Sequence, residues 1–211
     1  MTRTRINPRS RLALWAGAAC FIVAAMALDT KVVRIGSSSD VQAEKFSPAA
    51  YGTTEFPKVR SVVESRAVDA ATLAAAVGKD QAAASAQYGV AADAGPEIPV
   101  KFTGKAGNED SGVYEITVPG VPDSVHITVQ TGPAIIGTDL RDATGAITFG
   151  QFHNQIEYQN AGSALNKAMK QDVLSKVDTS KLSGKTISVV GVFQLTDPAN
   201  WQVTPVKLDA P

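Results

Sequence analysis

The chain predicts an α+β fold, namely a mainly antiparallel OB-like β-barrel in the order β-β-β-α-β-β. An Ala-rich helical segment and an N-terminal membrane or signal helix precede it. Three observations carry this expectation. Residues 98–129 hold three short apolar segments separated by Gly and Pro, an amphipathic stripe follows between Ala161 and Val177, and two more apolar segments fill 186–193 and 201–208. Three strands, one helix and two strands is the order of an OB-type barrel. A partly open sheet with the helix on one face gives the same string. The implied organisation is a signal-anchor or signal peptide over 1–28, a linker over 29–45, a helical segment over 46–94 packed on the barrel, and the OB-like domain over 95–211.

The first element is set by charge. Arg3, Arg5, Arg9 and Arg11 come with no acidic residue among them, and Leu12 to Leu28 then runs seventeen residues without a charge. A basic flank before an apolar run is an export or anchor signal, with the flank on the cytoplasmic side. Seventeen helical residues reach about 26 Å, slightly short of a ~30 Å hydrocarbon core. Three readings stand side by side: an uncleaved anchor helix in the inner membrane through residues 12–28, cleavage after Ala25-Met26-Ala27, or lipid attachment at Cys20. Gly17 stands where a lipidation signal carries a Leu-like residue, so Cys20 reads as a small apolar side chain in a helix. The expected location is the periplasm, tethered to the inner membrane or released after cleavage. With one cysteine in the chain, the exported part carries no internal disulfide, and its size allows a sufficient core without one.

The whole chain balances 20 basic against 20 acidic residues. The leader holds four of the basic ones, which leaves 16 against 20, a net charge of −4. A mildly acidic exported domain without clustered Lys and Arg excludes nucleic acid and an anionic lipid surface as partners.

Residues 29–45 read as a short extended piece and a polar linker around Ser37-Ser38-Ser39. In the next segment Ser47-Pro48 makes an N-cap with proline at the first helical position. Asp69 caps a helix that stops at Gly78, and Asp80 caps another that stops at Gly89. Thirteen of residues 67–94 are alanine. Alanine favours helix but buries little area, so these helices need a larger body to pack on. The first strand is Ile98–Phe102, ended by a turn at Gly104–Gly107. Val113–Val118 and Val125–Val129 are the second and third, and Ala134-Ile135-Ile136 is a further apolar piece. The helix carries Ala161, Leu165, Ala168, Met169, Val173 and Val177 on one stripe. The last two strands are Thr186–Phe193 and Trp201–Leu208, and Pro205 inside the latter calls for an edge or a bulge.

Two stretches hold the chemistry. In GPAIIGTDLRDA (132–143), Asp139, Arg141 and Asp142 form either a ligand loop that grips hydroxyls or a carboxylate, or a turn with an internal ion pair. In FGQFHNQIEY (149–158), Phe149, Phe152 and Tyr158 stand among His153, Asn154, Gln155 and Glu157. Aromatic faces and planar amides suit carbohydrate or amide recognition, and the same residues also suit a strand-to-helix corner whose amides satisfy backbone groups. No Gly-x-Ser-x-Gly elbow and no His-Glu-x-x-His pair occurs, and Ser183-Gly184-Lys185-Thr186 lacks the upstream glycine of a phosphate loop. No catalytic residue, metal or cofactor is assigned. A glycan-acting enzyme using Glu157 with Asp139 or Asp142 is the alternative, since two carboxylates suffice for that chemistry. A structural scaffold or assembly factor is a third reading.

The central motifs, with GKTISVVGVFQL and VTPVKL downstream and RAVDAATLAAAV and AAASAQYG upstream, resemble the family of predicted periplasmic lipoproteins catalogued as domain of unknown function 2291. The resemblance runs over roughly residues 30–208. Residues matching the family's motifs are Gly132, Pro133, Ile136, Gly137, Leu140, Arg141, Asp142, Phe149, Phe152, Asn154, Gln155, Ile156, Glu157, Leu165 and Asn166. The family has no assigned activity. Its members are often encoded beside ATP-driven sugar transporters, which implies an accessory role in carbohydrate uptake, with a transporter component or a small polar ligand as partner. The binding residues expected on this basis are Asp139, Arg141, Asp142, Phe149, Phe152, His153, Asn154, Gln155, Glu157, Tyr158 and Asn166. One departure stands out. Family members usually carry a lipidated cysteine before a Lys-Val-Val-like segment, and here that place is Thr30.

Overall fold

The computed structural model describes residues 8–29, 46–92 and 94–210. The chain divides into two compact units, residues 1–45 and 46–211. In the first, α1 (Pro8–Asp29) is one helix whose described large apolar side chains, Trp15 and Phe21 among them, stand exposed. No helix among the described residues is long and apolar enough to cross a membrane. The expected membrane-spanning helix is thereby not supported. The expected linker, apart from Asp29 at the end of α1, lies outside the described residues.

The second unit begins with α2 (Pro48–Arg66), β1 (Val68–Asp69), α3 (Ala70–Lys79) and α4 (Gln81–Tyr88). Each helix starts where its cap predicts. Ser47 Oγ accepts from Ala50 N, Asp69 accepts from the Ala71 and Thr72 amides, and Asp80 accepts from Ala83. These bonds satisfy amide donors that the first helical turn leaves open. The helix α3 passes Gly78 by one residue, and Gly89 closes α4 as expected. The two-residue β1 was not foreseen. It pairs parallel with the next strand, Val68 opposite Val100.

The sheet continues with β2 (Glu97–Asp110), β3 (Val113–Thr117), β4 (His126–Gln130), β5 (Thr186–Gln194) and β6 (Asn200–Asp209). Two further helices, α5 (Asp139–Asp142) and α6 (Gln155–Asp172), lie between β4 and β5. The strand order is β1-β2-β3-β4-β6-β5, and β2 also pairs with β5. The β4–β6 pair is parallel, so the sheet is mixed, with β1–β2 the other parallel pair.

The strand β2 corrects one expectation. Gly104–Gly107 is not a turn, because the strand runs through it. Its first part pairs with β5 and its last part with β3, with Lys105 in both registers. A strand that changes partners must bend sharply. A Cβ at Gly104 would lie 2.6 Å from the Thr117 carbonyl, so glycine is required at the bend. Pro205 lies where a bulge was expected: the β5–β6 register slips between Val190 and Gly191, with Gly191 opposite Pro205. The segment Ala134–Ile136 forms no strand. The helix α6 ends at Asp172, and Val173 and Val177 flank the short 3-10 turn Leu174–Lys176 that follows.

The core joins the strands to the helices. Trp201 stacks on Phe193 with ring centroids 4.9 Å apart, and Ile98, Ile127, Leu165, Met169 and Ile187 are fully buried with them. The helix α2 lies against α6. The approach is close, since a Cβ at Gly52 would lie 2.4 Å from the Ala164 carbonyl.

Candidate functional site

The loop leading from β4 to α6 is held from both of these elements. Gln130, the last residue of β4, clamps Ile136: its Oε1 accepts from Ile136 N at 3.1 Å and its Nε2 donates to Ile136 O at 3.2 Å. Asn166 Nδ2 on α6 donates to Gly137 O at 3.1 Å, and Lys170 Nζ donates to Pro133 O. The expected ligand residue Asn166 is therefore used on a backbone carbonyl.

This anchoring positions α5, where the three charged residues part company. Thr204 Oγ1 on β6 donates to Asp139 Oδ2 at 2.7 Å and accepts from Gln130 Nε2 at 3.0 Å. Burial pushes the Asp139 carboxyl up to about 6, and the Thr204 hydrogen bond opposes that rise. Arg141 is buried and forks onto its neighbour, Nε to Asp142 Oδ1 at 2.7 Å and Nη2 to Oδ2 at 2.8 Å. Thr138 Oγ1 donates to the same Oδ2 at 2.7 Å. The Arg141 guanidinium also lies 3.8 Å from the Tyr158 ring centroid. A bidentate pair stacked on an aromatic face orients both partners.

Tyr158 opens an aromatic cluster. It meets Phe149 at 5.8 Å and Phe152 at 5.5 Å, and Phe152 meets Tyr51 at 5.7 Å and Phe46 at 5.5 Å. Burial, with Glu55 nearby, pushes the Tyr51 hydroxyl up to about 12. Phe149 remains half exposed.

The polar residues of the decapeptide build the start of α6. Asn154 is the N-cap, and its Oδ1 accepts from Glu157 N at 2.9 Å. Glu157 Oε2 reaches back to accept from His153 N at 3.0 Å and meets His153 Nδ1 at 2.9 Å. This reciprocal arrangement is a capping box displaced by one residue. Those His153 hydrogen bonds hold the Glu157 carboxyl below its ordinary range. Gln155 is exposed on the first turn.

One hollow of about 290 Å³ collects expected residues from both motifs. Asp142, Phe149 and Tyr158 line it together with Ala91, Ala92 and Ile147. Two larger grooves flank α6, about 590 Å³ beside Ile135, Asn166 and Lys170 and about 420 Å³ beside Ser47, Asn160 and Lys167. Asn166 is the single expected residue in either. We place the candidate site at the smaller hollow, because there a carboxylate and two aromatic rings converge. Among the described residues no cluster of His, Cys, Asp and Glu forms a metal site.

Sequence reasoning missed the residues beneath it. Glu97, the first residue of β2, is fully buried. Its Oε1 accepts from Gln194 Nε2 at 3.0 Å, and its Oε2 has no hydrogen-bond partner. Burial pushes this carboxyl up to about 8, the Asp139 charge adds to the rise, and the Gln194 hydrogen bond opposes it. The available signal was an acid inside the apolar run Pro96-Glu97-Ile98-Pro99-Val100. Gln130, Gln194 and Thr204 gave no such signal.

Comparison with known proteins bears on fold and family. No curated protein matches the chain. It is similar to an OB-fold protein from Thermotoga maritima solved by crystallography, with a TM-score of 0.64 and 17% identity over 80% of this chain and 100% of that one. That likeness places the mixed sheet and its helix in the OB-fold class. The family described as predicted periplasmic lipoprotein, domain of unknown function 2291, matches residues 18–209. The motif resemblance, the arrangement of elements and the span of this match agree, and the chain belongs to that family of predicted periplasmic lipoproteins.

Proposed function

We propose that the chain is a non-catalytic periplasmic binding protein, accessory to carbohydrate uptake, that takes a small polar ligand at the Asp142–Phe149–Tyr158 hollow. The observation that carries this reading is the hollow's lining. A carboxylate whose charge is met by Arg141 stands beside two aromatic rings, one of them half exposed. Carboxylate oxygens accept from sugar hydroxyls, and ring faces cover the apolar side of a sugar. The scaffold is an OB-type barrel, a reading supported by the ring of pairings β2-β3-β4-β6-β5 that returns to β2. The N-terminal segment serves as export signal and, if uncleaved, as tether, with a transporter component as the docking partner.

Two observations weigh against the glycan-acting alternative. Asp142 is committed to Arg141, and Glu157, which both pairings of that alternative need, is held below its ordinary range on a helix cap; Asp139 has the raised value of a general acid, but neither it nor Glu157 lines the hollow. The scaffold reading is favoured at Asn154 and Asn166, whose side chains satisfy backbone groups, at Asp139, held by Thr204, and at Arg141, buried against Asp142.

The test is a thermal-shift screen of the full chain against neutral sugars. A sugar that raises the melting midpoint of the wild type and not of Phe149→Ala supports the reading. A shift that persists in Phe149→Ala moves the site elsewhere, and no shift with any sugar removes the carbohydrate assignment.

A further inference from the structure

We propose that the Glu97 carboxyl is a proton-binding site in the seam between β2 and β5, and that its protonation state sets the wall of the hollow beside Asp142. This rests on reading that hollow as the ligand site and concerns its regulation.

The geometry around Glu97 favours a neutral carboxyl. The group is fully buried, one oxygen accepts a single hydrogen bond from Gln194, and the other meets no donor. A carboxylate in that position loses its hydration without replacement, so the protonated form is the one these surroundings tolerate. The charged groups acting on it come from α5. Asp139 and Asp142 oppose its ionisation, and Arg141 favours it. The facing residue from β5, Gln194, is neutral, and the buried residues of α2, α3 and α4, which pack on β2, carry no charge.

The seam is tied directly to the hollow. Glu97 and Val90 exchange two backbone hydrogen bonds, each 2.8 Å long. Ala91 and Ala92, which follow Val90, form one wall of the hollow, and Asp142 belongs to the lining as well. Ionising Glu97 creates a charge that needs water or a donor, and the isolated Val90 bridge on its other side is joined to β2 by those two hydrogen bonds. Loss of the proton therefore shifts the Ala91–Ala92 wall. An uncharged ligand that fills the hollow excludes water and favours the neutral carboxyl. Its affinity falls as pH rises past the Glu97 midpoint, and by linkage the ligand raises that midpoint.

The experiment is a pH titration of the full chain by NMR, following side-chain carboxyl carbons and backbone amides with no ligand present. The expected result is one glutamate carboxyl titrating near pH 8, absent in Glu97→Gln. The amides of Ala91 and Ala92 should move with the same midpoint in the wild type and stay still in Glu97→Gln. Gln194→Met, which removes the donor to Oε1, should raise the midpoint and serves if Glu97→Gln does not fold. A Glu97 carboxyl that ionises with the exposed glutamates overturns the proton site. A Glu97 that titrates near pH 8 while those amides stay still overturns its link to the hollow. Neither result depends on sugar binding, so a failed sugar screen is a separate failure.

Discussion

At the scale of single residues, the buried acids make stability depend on pH. An unfolded chain ionises Glu97 near its ordinary 4.5, whereas the folded chain keeps the proton to about 8. Between those values folding takes up a proton, so stability falls as pH rises and levels off above about 8. Asp139, raised from 3.8 to about 6, adds a fall in the same direction over its own window. Each group contributes at most about 1.4 kcal/mol per pH unit. Melting curves from pH 5 to pH 8 should show a falling midpoint, and Glu97→Gln should flatten the part above pH 6. Asp178 works elsewhere: its hydrogen bonds to Ser180 and Lys181 pull it down to about 2, so its stabilisation is lost only at acid pH. Arg141 is a folding residue as much as a site residue. Arg141→Ala strands the Asp142 carboxylate and uncovers the Tyr158 ring, and removing one partner of a buried pair costs about 3–5 kcal/mol. Chemical denaturation measures that loss. A binding defect in Arg141→Ala thus carries no information about ligand contact unless stability is matched first.

At the scale of elements, caps and close approaches set the geometry. Asn154→Ala removes the N-cap of α6 and should cost about 1 kcal/mol, read as a lowered denaturation midpoint, with ligand capture at the hollow intact. Gly52→Val forces a side chain into the Ala164 carbonyl. It should destabilise by about 1–3 kcal/mol through the α2–α6 contact, again by denaturation. These elements also mark what was legible in the sequence. Ser47, Asp69 and Asp80 announced three helix starts correctly, because capping is a local rule between a side chain and amides two or three residues on. The strand β2 was cut short at Gly104, because a glycine at a sheet bend and a glycine in a turn have the same local signature. What distinguishes them is Thr117, brought alongside only by folding. The decapeptide was ambiguous for the same reason: an N-cap asparagine and a ligand-binding asparagine are one residue type.

At the scale of the whole molecule, the sheet topology brings the distant parts of the site together. The order of strands and helix was readable from periodicity, and so were the two central motifs. That the charges of α5 act on Glu97 was not, since β2 and α5 lie far apart in the chain and folding alone brings them together. The same assembly gathers Asp142, Phe149 and Tyr158 at one hollow and turns Asp139, Asn154 and Asn166 to structural work. The central claim is that this hollow captures a neutral sugar. The most direct test is the melting midpoint of the full chain with and without such sugars, in the wild type and in Phe149→Ala, whose half-exposed ring leaves the fold little to lose. The account predicts a saturable rise in the wild type that Phe149→Ala abolishes without lowering the unliganded midpoint by more than a few degrees. An equal rise in both proteins, or none in either, would contradict it.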